Sequence, residues 1–116
     1  TIELIGKNSK EVRLKAQGQF MDKKIFDDND STYYCLFYNS DPLVTSFVIY
    51  KDTCLSVALY VPPYLLSGVI TEFNKSYVVV NSTKWLYYAA NGVFGVELQV
   101  VEGGHGVFTY IRIKDE

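Results

Sequence analysis

Side chains able to carry out acid–base or nucleophilic chemistry are scarce in this sequence of 116 residues, which has one histidine and two cysteines. His105 lies between Gly104 and Gly106. Glu97 or Glu102 could serve as the carboxylate partner of a general base at His105. The flanking glycines favour the positive φ angles of a hairpin turn, so we expect an exposed turn here. A small hydrolase-like enzyme that uses His105 with a carboxylate is the alternative.

The two cysteines fall in two predicted strands of the same sheet. In an exported protein, Cys35 and Cys54 can form a disulfide, whereas in a reducing compartment they are ordinary small apolar residues. Both interpretations stay open, because pairing depends on a strand order that the sequence does not fix. A single histidine and two separated cysteines indicate neither a metal site nor a cofactor.

A cluster of oxygen-bearing side chains lies at Asp27, Asp28, Asn29 and Asp30. Such side chains can bind a hard cation, but a calcium loop also has an internal glycine and a distant bidentate glutamate, which this segment lacks. We therefore expect residues 27–31 to form a solvated loop.

Aromatic side chains are the most prominent feature of the chain, which contains ten tyrosines. In the last predicted strand, Phe108, Tyr110 and Arg112 share one side, while Thr109, Ile111 and Ile113 share the other. Aromatic and arginine side chains are enriched at binding hot spots, so we predict that the first of these two sides faces outward. Cross-strand aromatic pairs that only stabilise the sheet are the alternative. The predicted binding residues are Phe108, Tyr110, Arg112, Tyr87 and Tyr50.

Composition limits the possible partners. The formal charge of −2 and the isoelectric point near 5.3 provide no broad cationic field, so we expect no nucleic-acid partner. The longest stretch without charged residues, Thr53 to Thr71, is interrupted by Pro62 and Pro63, so we expect no transmembrane segment. The sequence begins at Thr1 without an apolar leader, as a chain does after its signal peptide is removed. A chain shortened for another reason begins in the same way, and export is our expectation.

The elements that hold these side chains follow from hydrophobic periodicity. We predict a helix over about residues 9–19, capped by Ser9, and a second over about 63–74 that begins at Pro63. The second helix should cover Trp85. Strands are predicted at Thr32–Tyr38, Val44–Lys51, Thr53–Val61, Tyr77–Val80, Lys84–Ala89, Val93–Val101 and Val107–Lys114.

This order predicts a single α+β domain spanning residues 1–116. Each predicted helix has one apolar stripe, which must be buried against the antiparallel strands. A two-layer α/β sandwich, in which both helices lie on one face of the sheet, buries both stripes. The helix–strand order α-β-β-β then occurs twice, with one further strand in the second unit, as a pseudo-repeat of topology.

One short segment resembles a known group of proteins. The run Ile5-Gly6-Lys7-Asn8-Ser9-Lys10-Glu11-Val12 is similar to the first helix of small outer-membrane lipoproteins and β-lactamase-inhibitor-like domains. The Pro-initiated helix Pro62–Phe73, followed by Trp85-Leu86-Tyr87-Tyr88, resembles small exported bacterial lipoproteins of unassigned function. This resemblance implies an α/β sandwich, a periplasmic, outer-membrane-associated or extracellular location, and protein binding in place of catalysis. The lipid-bearing cysteine of such proteins is absent from the segment, which leaves lipid anchoring open.

Three classes of function are therefore in competition. We favour a non-enzymatic exported domain that binds a protein or carbohydrate through an uncovered aromatic sheet face. The enzyme that uses His105 is the second class. The third is a structural homo-oligomer subunit whose aromatic face is the interface.

Overall fold

The computed structural model describes residues 1–28 and 31–115. In these residues, eight strands form one antiparallel sheet in the order β1-β2-β3-β4-β8-β7-β6-β5, accompanied by two α-helices. This confirms the single antiparallel sheet with two helices. The elements are α1 (Ser9–Lys15), β1 (Gln19–Asp28), β2 (Ser31–Ser40), β3 (Leu43–Tyr50), β4 (Thr53–Val61), α2 (Pro63–Ser76), β5 (Val78–Asn81), β6 (Lys84–Ala89), β7 (Gly92–Val100) and β8 (Gly106–Asp115).

The first helix is shorter than predicted and has a different cap. The side-chain oxygen of Asn8 accepts a hydrogen bond from the backbone N–H of Glu11 at 2.9 Å, so Asn8, and not Ser9, is the N-cap. The Ser9 hydroxyl instead donates to the carboxylate of Asp52 in the β3–β4 turn. This contact ties the start of α1 to the sheet.

The strand β1 was not predicted, and it corrects both the helix over residues 9–19 and the loop over residues 27–31. Asp27 and Asp28 end β1 and Ser31 begins β2, while residues 29 and 30 lie outside the described residues. The strand escapes prediction because it lies at the sheet edge, where charged side chains remain in water. A bulge between Phe20 and Asp22 further breaks its alternation.

The helices and one side of the sheet share a single core. Val12 of α1 and Phe73 of α2 belong to the same buried cluster as Phe47, Val57 and Phe108 of the strands. Because paired residues on antiparallel strands point to the same side, the register assigns these strand residues to one face, which we call the helix face. The opposite face is called the open face.

The second helix and its tryptophan follow the prediction. The helix begins at Pro63 and ends at Ser76, two residues beyond the expected end. Trp85 is buried, and its ring contacts Phe73 of α2 edge to face, with 5.5 Å between ring centroids. Trp85 therefore lies beneath α2, as expected. No helix in the described part of the chain is both long and apolar enough to cross a membrane.

Candidate functional site

The outward orientation predicted for the last strand is wrong. Phe108 is 0% and Tyr110 is 6% exposed, whereas Ile111 and Ile113 are 44% and 52% exposed. Phe73 of α2 accounts for this, because its ring lies 4.6 Å from that of Phe108 and 6.1 Å from that of Tyr110. The larger aromatic side chains gain more by burial beneath the helix, so β8 presents its isoleucines on the open face.

Arg112 and Tyr87 also lie on the helix face, since each pairs with Phe94 across the sheet. The Arg112 guanidinium lies over the Phe94 ring at 5.3 Å, and its Nη2 donates to the carbonyl of Ile5 at 3.5 Å. The Tyr87 ring packs against that of Tyr77 at 5.5 Å. Both side chains therefore contact other parts of the fold, and they do not join Tyr50 on one surface.

The buried tyrosine of β8 is part of a small polar contact in the core. Tyr110 and Tyr77 are hydrogen-bonded through their side chains. Burial raises the pKa of the Tyr110 phenol far above its ordinary value, with the neighbouring Tyr77 as a further cause. Both phenols therefore stay neutral and serve structure.

The cysteines are free thiols, so the disulfide alternative is corrected. Cys35 pairs with Val48 and Cys54 pairs with Ile49, and these two neighbours on β3 point to opposite faces. The thiols therefore lie on opposite faces of the sheet, and β3 lies between their strands β2 and β4. Burial raises the pKa of Cys54 to about 11, so this thiol is protonated at neutral pH.

His105 lies in the exposed segment between the 3-10 turn Glu102–Gly104 and β8. Gly103 and Gly104 have φ values of 85° and 84°, as expected for a glycine-dependent turn. The carboxylate of Glu97 lies 3.6 Å from the ammonium of Lys84 on the open face. Among the described residues, His105 does not line either of two well-formed cavities, one of about 550 Å³ and one of about 150 Å³.

The larger cavity is a hollow on the open face, spanning β5 to β8, with a volume of about 550 Å³. Its apolar wall consists of Val80, Leu86, Ile111 and Ile113. Gly95 lies between Leu86 and Ile111 in the cross-strand register and leaves the middle of this row without a side chain. We call this cavity the open-face hollow. Its size and apolar lining are typical of sites that take up apolar groups.

Polar side chains form one side of the same hollow. Lys84 and Glu97 face each other across β6 and β7, with Gln99 and Thr109 beside them. The ion pair is well exposed, so it contributes little to stability, and its two charges remain available to a ligand. The hollow thus combines an aliphatic wall with a polar rim of no net charge.

Aromatic side chains lie on the other half of the open face. Phe26, Tyr33 and Tyr50 are paired in one row across β1, β2 and β3, and we call them the aromatic row. The rings of Tyr33 and Tyr50 stack at 4.6 Å. Lys51 Nζ lies 5.3 Å from the centre of the Tyr50 ring, a cation–π contact at the end of the row. Tyr50 is the one predicted binding residue that the structure places on the open face.

The residues of the open-face hollow were missed because both sides of β8 carry large side chains that could form a core, Phe108 and Tyr110 on one side and Ile111 and Ile113 on the other. Sequence alternation separates Tyr110 from Ile111 but does not say which of them the helix covers. Gly95 offered a usable signal, since a glycine within a strand indicates a close approach or a space that a side chain would occupy.

Comparison with known proteins does not assign this chain to a family. The chain matches no protein-family model, and no similar chain was found among curated proteins or among solved structures.

Proposed function

We propose that this chain is a non-enzymatic binding module that docks a protein partner on its open face. The observation that carries the proposal is the open-face hollow, where Ile111, Ile113 and Val80 are about half exposed around an empty space. Exposing such a contiguous apolar surface opposes folding, and it is typical of interaction sites.

The lining favours a protein over a carbohydrate. Branched aliphatic side chains complement the apolar side chains of a protein, whereas sugar rings usually stack on flat aromatic faces and require several hydrogen bonds. The aromatic row would be the place for a sugar, but Tyr33 and Tyr50 cover one face of each other. We therefore place the partner's apolar anchor in the hollow and treat the aromatic row as the flank of the interface.

The sheet consists of two sets of strands, and the open-face hollow lies on the second set, β5 to β8. In the described residues, α1 is followed by four strands and α2 by four more, and the last strand of each set, β4 and β8, pair with each other. We interpret this order as a pseudo-repeat of one topology, with four strands in each unit; the sequence predicted three strands in the first unit and four in the second. The hollow adjoins the junction between the units. Export and the likeness to bacterial lipoproteins remain predictions.

Photo-cross-linking in the native cells tests the proposal. A benzophenone amino acid in place of Ile111 should give a discrete adduct with a protein. The matched control replaces Tyr64, an exposed residue of α2 on the other side of the molecule, and should give no such adduct. Equal labelling from both positions, or adducts only from position 64, would overturn the placement of the site. An adduct with a glycan from a probe in place of Tyr50 would favour the carbohydrate.

A further inference from the structure

The strand β5 is an unprotected edge of the sheet. Within the described residues, β5 pairs with β6 and has no strand on its outer side. Its Val78, Val79 and Val80 are 52%, 51% and 53% exposed. The free backbone N–H and C=O groups of such an edge can pair with another strand.

The two edges of the sheet differ in how they resist this pairing. The edge strand β1 carries Asp22, Lys23, Lys24 and Asp27 and contains a bulge, all of which discourage strand addition. The run Ser76–Thr83, which contains β5, has no charged residue and three consecutive β-branched side chains. Any strand addition should therefore occur at β5.

We propose that β5 pairs antiparallel with β5 of a second copy of this chain, about a two-fold axis at Val79. In this register Val79 lies opposite Val79 of the other copy, and Val78 lies opposite Val80. An isologous pair of this kind requires a segment that is complementary to itself, and an uncharged valine run meets this condition because no like charges face each other. A second copy supplies an edge with the same exposed valines, so both unprotected edges are covered at once.

The pairing also extends the open face. Val78 pairs with Leu86, so it lies on the open face, and Val80 lines the open-face hollow. The valine pairs of the dimer would therefore continue the apolar wall of one hollow towards that of the other copy. This dimer is independent of what occupies the hollow.

Sedimentation over a concentration series tests the dimer. The wild-type chain should shift from monomer to dimer as concentration rises. Val79→Lys places two ammonium groups opposite each other and should raise the dissociation constant about tenfold or more. The matched control, Ile25→Lys on the exposed β1 edge, should leave it unchanged. A wild-type chain that stays monomeric, or equal effects of the two substitutions, would overturn the proposal.

A cysteine variant tests the register without adding charge. Directly opposed residues on antiparallel strands have Cα atoms about 4.5–5.5 Å apart, within the roughly 4.4–6.8 Å that a disulfide spans. Val79→Cys should therefore form a disulfide-linked dimer under mild oxidation, while Ile25→Cys should not. The native thiols are buried and stay out of this reaction. Failure of Val79→Cys to cross-link in a folded protein, or equally fast linkage of Ile25→Cys, would contradict the register.

Discussion

The indole Nε1 of Trp85 donates a hydrogen bond to the side-chain oxygen of Asn74 at 2.8 Å, joining β6 to the last turn of α2. A buried tryptophan needs a partner for its N–H, and here the covering helix supplies one. The same helix carries Phe73, which contacts both Trp85 and Phe108. The position of α2 thus determines which side of β6 and β8 is buried, and consequently which side is left uncovered.

Removing either member of this contact should destabilise the fold. Trp85→Ala should lower the free energy of unfolding by about 3–5 kcal/mol through the cavity that it leaves. Asn74→Ala should cost about 1–3 kcal/mol, because the buried indole N–H loses its partner. The control is Glu72→Ala on the exposed side of α2, with an effect below about 0.5 kcal/mol. Urea unfolding measures all three, and equal costs for Asn74→Ala and Glu72→Ala would contradict this role.

Adjacent substitutions on β8 test the face assignment. Tyr110→Ser should cost about 3–5 kcal/mol, since it empties a position beneath α2. Ile111→Ser, on the exposed side, should cost far less. Tyr110→Phe keeps the ring and removes the hydrogen bond with Tyr77, at about 1 kcal/mol. If Ile111→Ser proved the more damaging change, the two faces would be reversed.

The free energy of unfolding should fall in alkaline solution. The buried thiol of Cys54 and phenol of Tyr110 keep their protons in the folded chain at pH values where the unfolded chain has lost them. Burial raises the pKa of Cys54 to about 11 from its ordinary 9.0, so above pH 9.0 the unfolded chain loses this proton first. The stability that the thiol contributes is complete below pH 9.0 and is lost as pH rises towards 11. Buried Tyr110 adds a further loss above pH 10.0.

The variant Cys54→Val isolates the contribution of the thiol. Between pH 9.0 and 10.0, before the tyrosines titrate, its free energy of unfolding should decline less with pH than that of the wild type. Urea midpoints at a series of pH values report this slope. Parallel slopes for the two proteins would show that Cys54 is not the titrating group.

Two glycines should respond to alanine in opposite ways. Gly18 has a φ of 92°, and an added Cβ would lie 2.4 Å from the carbonyl oxygen of Asn39, so Gly18→Ala should cost more than about 1 kcal/mol. At Gly68 in α2, an added Cβ meets no heavy atom within 4 Å among the described residues beyond its own chain neighbours. Gly68→Ala should stabilise by about 0.5–1 kcal/mol. Thermal unfolding of the pair gives the comparison, and a stable Gly18→Ala protein would refute the close approach.

The sequence predicts those elements whose signals are local. Pro63 begins α2, and apolar alternation locates β4 and β6 with their observed bounds. The strand β1 was missed because its alternation is broken by a bulge and by exposed charged residues, so its existence depends on pairing with β2. Such a strand forms through tertiary contacts, and these cannot be predicted from the sequence of the segment alone.

The side of β8 that lines the open-face hollow could not be predicted from the sequence for a similar reason. Tyr110 and Ile111 alternate correctly, yet both are apolar, and only the placement of Phe73 decides between them. The separation of Cys35 from Cys54 likewise depends on β3 lying between their strands. Tyr50 lies on the open face, but its stacking partner Tyr33 comes from a register that sequence does not fix.

The most direct test of the open-face hollow is the affinity of the protein recovered by cross-linking at position 111. Calorimetry should compare the wild type with Ile111→Lys and with Leu14→Lys, a control at an exposed position of α1. Placing a charge in the apolar wall should weaken binding about tenfold or more, because it removes a central hydrophobic contact. Leu14→Lys should bind as the wild type does. If both variants bind with wild-type affinity while remaining folded, the partner does not occupy the open-face hollow.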